Sequence, residues 1–444
     1  MKELLITNIG HLAGIDQGKP YLSGAEMAHL ESLNNAWLLI EDGKIKEWGS
    51  APQPMPLLRR ISNPPNGEAT VLDAQGGTVL PAFCDSHTHL VYAGSREGEF
   101  VDKINGLSYA EIARRGGGIL NSADRLHAAS EEQLYQQAMI RADEIAAKGT
   151  GAVEIKSGYG LNTADELKML RVIRRIKDSS PLKVMSTFLG AHAVGRAYVG
   201  RQKEYVDLVV NEMIPEVGRE QLADFIDVFC DQGFFTAEET ARILEAGAKW
   251  GMRPKIHGQE LADSGGVEVA VAHNALSVDH LESMTDHDIA LLAQNSSLLT
   301  PNSSLLTPNS SLLTPNSSPT IPTALPGTSF FLNMPFAPAR KIISAGLPLA
   351  IASDYNPGST PSGDMKFVVS LACIKMRLTP AEAINAATIN SAAAMGISQE
   401  YGSIGRGKVA NLIVTAPIPS VDFIPYAYTT PIIRHTILNG RTLR

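Results

Sequence analysis

Between residues 78 and 398 the chain alternates short apolar runs with longer stretches of helical periodicity. The apolar runs at 78–83, 151–155, 183–189, 225–229, 254–256, 275–278, 319–324 and 348–352 read as buried strands. Amphipathic stretches at 164–177, 205–217, 237–250, 265–273, 285–294 and 337–345 predict helices between them. Eight β/α units in series predict an α/β chain closed as a (β/α)8 TIM-like barrel. An open doubly wound sheet is the alternative. It lacks support, because no Gly-x-Gly-x-x-Gly turn follows the first strand.

The two ends of the chain carry a different pattern. Residues 3–6, 36–40 and 44–48 are β-like, with Glu41-Asp42-Gly43 as a hairpin signal. Residues 411–415 and 432–438 are similar, with Asn439-Gly440 as a turn. The expectation is a small β-sandwich-like domain built from both ends, residues 1–78 and 399–444, around a barrel at 79–398.

One segment breaks the alternation. Asn-Ser-Ser-Leu-Leu-Thr-Pro occurs three times over residues 295–315. A proline in every copy forbids a continuous helix, so the seven-residue period is not a coiled coil. Its place between the sixth helix and the seventh strand predicts a surface insertion away from the barrel's catalytic face. A docking loop is the functional alternative. Asn-Ser-Ser is also a glycosylation pattern, which carries little weight without a secretion signal.

Composition narrows the class. The chain has 444 residues, 44% hydrophobic and 19% charged, which supports a large core and excludes global disorder. A net charge of −8 argues against nucleic acid or an anionic membrane as partner. Cys84, Cys230 and Cys373 are far apart and odd in number, which points to a reducing, cytoplasmic setting. The first residues show no leader and no stretch able to span a membrane. A homodimer is the expected assembly for a soluble enzyme of this size.

Catalytic groups of such a barrel belong just after the strand C-termini. Five of the 11 histidines fall there: His87, His89, His192, His257 and His280. His87 and His89, two residues apart, point to one side of a strand end. Alone they are no more than two polar residues. With His257 and Asp354 they make three imidazoles and a carboxylate, a set suited to zinc or iron(II) with a position open for water. No lysine ends the fourth strand, so a modified lysine bridging a second metal is not indicated and one metal is expected. Lys156 is expected as a surface charge or a charge behind the ligands. Glu260 and His280 are candidates for proton transfer, although a helix-start carboxylate and a structural histidine would look the same. Arg96 can clamp a carboxylate bidentately, or it is an ion pair. Tyr159, flanked by glycines, can approach a small ligand closely, and His192 joins this group.

Four stretches make these residues specific. They are Asp85-Ser86-His87-Thr88-His89-Leu90-Val91-Tyr92-Ala93-Gly94-Ser95-Arg96, Glu154-Ile155-Lys156-Ser157-Gly158-Tyr159-Gly160, Thr187-Phe188-Leu189-Gly190-Ala191-His192-Ala193 and Ser353-Asp354-Tyr355-Asn356-Pro357-Gly358. Across nearly the whole chain apart from the repeat, the sequence resembles the imidazolonepropionase family of the amidohydrolase superfamily. The resemblance implies metal-dependent hydrolysis of 4-imidazolone-5-propanoate to N-formimino-L-glutamate, a step of histidine degradation. It implies zinc or iron on His87, His89, His257 and Asp354; the expectation for the chemistry is that Glu260 and Asp354 orient the attacking water and His280 steadies the developing oxyanion. It places the substrate, a small molecule with a carboxylate tail, against Arg96, Tyr159, His192, Glu260, Asn356, Gly358 and Ser359. The sequence departs from that family at Ser359, where threonine is commoner, and at His257-Gly258-Gln259, where His-Ala-Asp is frequent. Another cyclic amidohydrolase, a ring deaminase, or a non-catalytic metal-binding scaffold are the rival readings.

Overall fold

The computed structural model describes residues 2–53, 68–107, 111, 115, 117–298 and 319–443. Among the described residues eight parallel strands form the main path of the central sheet: Phe83–Asp85, Thr150–Lys156, Lys183–Ala191, Phe225–Cys230, Ile256–Gly258, Ser277–His280, Ile321–Ala324 and Ala350–Ile351, with the short Arg253–Pro254 pairing off this path beside Phe225–Cys230. They neighbour one another in chain order. The first and last meet through Asp354 N–H donating to the His87 carbonyl and His89 N–H to the Tyr355 carbonyl, both at 2.9 Å. Below these bonds Asp85 accepts from Ser353 N–H (2.9 Å) and Ser353 Oγ (2.5 Å). The barrel is therefore closed at its catalytic end by the segments that carry the candidate metal ligands.

Helices follow the strands and cover them. Their starts are encoded locally: Ser130 with Gln133, Thr236 with Glu239 and Thr379 with Glu382 form capping boxes. The helix expected at 205–217 runs instead from Gln202 to Arg219 through a π-turn at Val209–Met213. Pro215, which has no N–H to donate, follows that turn and explains the break in the α-ladder.

The first predicted strand divides. Thr78–Pro81 pairs with the chain ends, and only Phe83–Asp85 enters the barrel. The end-built sheet has eight strands: Lys2–Ala13, Ser32–Glu41, Lys44–Ser50, Glu68–Asp73, Thr78–Pro81, Leu412–Thr415, Ile433–Leu438 and Arg441–Thr442. Lys2–Ala13 bends at a register shift between Ile6 and Ile9. It pairs with Glu68–Asp73 along one half and with Thr78–Val79 along the other. Leu4, Ile6, Leu38, Ile40, Val79, Leu412 and Val414 pack on one face of this sheet, and Leu5, Trp37 and Leu39 on the other. Asp42-Gly43 (φ 49° and 81°) and Asn439-Gly440 (φ 50° and 70°) are both left-handed turns, as their sequences predict.

The repeat lies outside the described residues except for 295–298, the end of the helix Asp286–Leu298. No helix among the described residues is long and apolar enough to cross a membrane.

Candidate active site and metal centre

Strand one, strand five, strand six and the segment after strand eight bring four histidines and an aspartate together, all buried. Nε2 of His87 and Nε2 of His89 lie 3.7 and 3.6 Å from Asp354 Oδ1. His87, His257 and His280 form a second group that shares His87, each group within 4.8 Å between ligand atoms. The His87 and His257 rings are 4.4 Å apart between centroids. Nε2 of both has no hydrogen-bond partner despite burial. Buried imidazole nitrogens without partners are costly unless something accepts their lone pairs. Asp354 Oδ2 is held by Thr328 Oγ1 (2.6 Å) and Ser359 Oγ (3.1 Å), which leaves Oδ1 toward the histidines. The donor set and these orphaned nitrogens fit a metal ion.

The far sides of two imidazoles are oriented by acids. His87 Nδ1 meets Asp279 Oδ2 at 2.7 Å, which fixes the proton on Nδ1 and frees Nε2. His257 Nδ1 lies 2.9 Å from Asp227 Oδ2, a close ion-pair contact. Behind them Lys156 Nζ binds Glu154 (2.5 Å) and Asp227 (2.7 Å), and Lys255 Nζ binds Glu154 and the Ser86 carbonyl. All five side chains are fully buried. Burial alone would raise the Asp227 carboxyl, but His257 and Lys156 hold it well below the usual range. Burial raises Asp279, against the pull of Lys255 and Lys156. Three carboxylates against two ammonium groups leave one negative charge behind the imidazoles, which favours a cation in front of them.

A cavity of about 650 Å³ opens onto this cluster. His89, His257, His280, Glu260 and Asp354 line it, as do Arg96, Tyr159, His192, Asn356, Gly358 and Ser359. His192 stacks on His89, with centroids 5.1 Å apart and planes at 15°. Its Nδ1 donates to the Gly158 carbonyl (3.0 Å), so Nε2 is the acceptor nitrogen. Burial, then the neighbouring His257, pushes His192 down to about 3, so the ring is neutral. Arg96 is both things the sequence allowed: Nε and Nη2 hold Glu99 at 2.9 and 2.6 Å, and the guanidinium also borders the cavity. A Cβ at Gly358 would stand 2.1 Å from Arg96 Nη1. Gly358→Ala is therefore expected to displace the guanidinium and cut kcat/KM about 10–100-fold, measured by steady-state kinetics. Asn356 mainly shapes its own loop: Oδ1 accepts from Gly358 N–H (2.7 Å) and Ser359 N–H (2.8 Å), and Nδ2 reaches Ser359 Oγ at 2.7 Å.

Glu260 sits on a loop pinned by Asp231, whose carboxylate accepts from the N–H groups of Glu260, Leu261 and Ala262 at 2.8–3.1 Å. Its Oε2 lies 3.6 Å from His280 Nδ1, and Glu282 Oε2 lies 3.7 Å from the same nitrogen. Burial, then Glu282, raises Glu260 well above the ordinary carboxylate range. His280 and Leu281 have φ of 87° and 73°. That conformation is an outlier for bulky residues and is retained only where surrounding contacts enforce it. Here Leu281 N–H is held by the Gly258 carbonyl at 3.2 Å.

Residues 78–443 match the amidohydrolase family. The chain is 49% identical to an imidazolonepropionase of Flavobacterium johnsoniae over 99% of each chain. It is 50% identical to one of Christiangramia forsetii over 99% of this chain and all of that one. This chain belongs to the imidazolonepropionase family of the amidohydrolases. Among solved structures a triazine hydrolase variant aligns with TM-score 0.72 at 15% identity, covering 99% of this chain and 94% of that one. An adenosine deaminase from Xanthomonas campestris with bound zinc aligns with TM-score 0.67 at 16% identity, covering 99% and 92%. At such identity these two show the amidohydrolase fold.

Of the candidate residues of the sequence, His87 lies outside the cavity lining, packed against His257 and Asp354, and the others line the one cavity. Of the two readings of Lys156, the structure excludes the surface charge and fits the charge behind the ligands, locked among buried acids. Asp227, Asp279, Glu154 and Lys255 also belong to this buried network, beyond the candidates of the sequence. Their signal is a charge inside an apolar strand two residues from another inward-facing polar group, as in Glu154-Ile155-Lys156 and Lys255-Ile256-His257. Lys156→Met is expected to destabilise the fold by about 3–5 kcal/mol, because it leaves buried carboxylates without their partner. Urea unfolding at constant m-value measures it.

Proposed function

We propose that the protein is an imidazolonepropionase, hydrolysing 4-imidazolone-5-propanoate to N-formimino-L-glutamate in histidine degradation. The observation that carries this reading is one small cavity shared by a metal-fitting His/Asp cluster and a partly buried arginine at its wall. A ring deaminase acting on a neutral substrate has no use for the part of that guanidinium which Glu99 leaves open to the cavity. His87, His89, His257 and Asp354 would hold a single zinc or iron ion. Such an ion lowers the pKa of a water to about 7 and polarises a carbonyl oxygen.

The chain's own residues supply the rest. Arg96 directs the propanoate, and Tyr159 and the neutral His192 border the ring. Ser359 and Thr328 keep Asp354 turned toward the histidines. Water adds to the ring carbonyl carbon, the adjacent C–N bond breaks, and the nitrogen gains a proton. Glu260 takes the proton from the water and returns it to that nitrogen. Its burial makes it a basic carboxylate able to carry the proton. His280 stabilises the charge that develops on the carbonyl oxygen. Exclusion of water by the cavity wall strengthens each of these interactions. We also propose a cytoplasmic homodimer. The three free cysteines suit a reducing compartment, and symmetric dimers are the commonest soluble assembly.

The test is turnover of imidazolone propionate by the purified protein, stripped by a chelator and then reloaded with zinc or iron. Activity lost on stripping and restored by one of these ions supports the reading. Absence of turnover in every metal form sinks it. Asp279→Asn is expected to weaken metal affinity about 10–100-fold, because His87 loses the charge that fixes its ring. Competition with a chromophoric chelator reads that affinity.

A further inference from the structure

We propose that Lys103 is a specificity-determining residue of this site, supplying the positive charge that holds the substrate's tail carboxylate while Arg96 fixes its direction. The inference rests on the hydrolase reading above and adds a residue to it. Arg96 is not a free cation. Nε and Nη2 both donate to Glu99, and Glu99 is anchored in turn by Gly118 N–H (3.2 Å) and Asn121 Nδ2 (3.0 Å). The Arg96–Glu99 pair is therefore close to neutral as seen from the cavity, and it offers mainly Nη1. A carboxylate entering there would meet a directed donor but little net attraction, with Glu99 opposing it.

Lys103 supplies what that pair lacks. It lies on the same helix, Glu97–Ile104, and lines the same cavity. Among the described residues it has no carboxylate within ion-pair distance. Its Nζ is 3.4 Å from the Gly358 carbonyl and 5.6 Å from the centre of the Phe331 ring. Arg96 Nη1 packs against Gly358 as well. The ammonium and the guanidinium thus converge on one glycine, four residues after Asp354. A half-buried ammonium beside an aromatic ring and a single weak carbonyl contact is incompletely satisfied, and a ligand carboxylate completes it.

The experiment compares the wild type, Lys103→Met and Lys103→Arg on two substrates. These are imidazolone propionate and its analogue with the tail carboxylate replaced by a carboxamide. For the carboxylate substrate, Lys103→Met is expected to raise KM about 10–100-fold with kcat little changed, the loss typical of a charged hydrogen bond. Lys103→Arg restores most of the affinity. For the carboxamide all three proteins have similar KM. An unchanged KM for the carboxylate substrate in Lys103→Met overturns the inference. So does an equal rise for both substrates, which marks a structural effect. Inactivity of the wild type itself on both overturns the hydrolase reading and this inference with it.

Discussion

Glu260→Gln is expected to lower kcat about 10²–10⁴-fold while metal content, fold and KM stay near those of the wild type. The substitution keeps the shape and removes the ability to accept a proton. The loop is not unlatched, because Asp231 holds it through main-chain N–H groups and not through the Glu260 side chain. Burial, then Glu282, Asp354 and Asp231, pushes the Glu260 carboxyl up, and a cation bound in front of it would oppose that shift. A carboxylate so placed binds a proton firmly and still exchanges it with a water and a ring nitrogen. Metal analysis and kcat on the same preparation separate this loss from a loss of the ion. A variant with full metal and near-normal kcat would move the proton transfer to His280.

Asp354→Asn is expected to lower metal occupancy and to cost at least about 100-fold in activity, more than the loss of a partner behind a ligand. Asp354 is the carboxylate that faces Nε2 of both His87 and His89, with Oδ1 3.7 and 3.6 Å from them. Its other oxygen is fixed by two hydroxyls, so the replacement amide can still turn its oxygen to the ion, but without the charge. Elemental analysis of the purified variant reads the occupancy. Retention of a full equivalent of tightly bound metal would show that His280, grouped with His87 and His257, completes the ligand set instead.

The barrel was legible because each strand is a short apolar run and several helices carry an amphipathic period or a cap, as Thr163–Ser179 and Ala237–Ala248 do. The ligands were legible because polar residues at strand ends stand out against those runs. Three features were not. The split of the first strand at Ala82 leaves no trace in hydrophobicity, since Thr78–Pro81 and Phe83–Asp85 are equally buried. The acids behind the histidines sit within strands, where one charged residue reads as an interruption and its partner lies far along the chain. Asp279 and His87 are 192 positions apart. The pairing of Arg96 with Glu99 was visible as an i,i+3 spacing, but only the structure shows that the pair also borders the cavity. The Asn-Ser-Ser-Leu-Leu-Thr-Pro repeat stays an expectation drawn from sequence.

The central claim is that this cavity opens a carboxylate-bearing imidazolone ring by adding water. Mass analysis of the product formed from imidazolone propionate by the metal-loaded protein tests it most directly. The account predicts a product heavier than the substrate by one water, with no ammonia released, and no such product from the chelated protein. Release of ammonia with the ring intact, or an unaltered substrate, would contradict it.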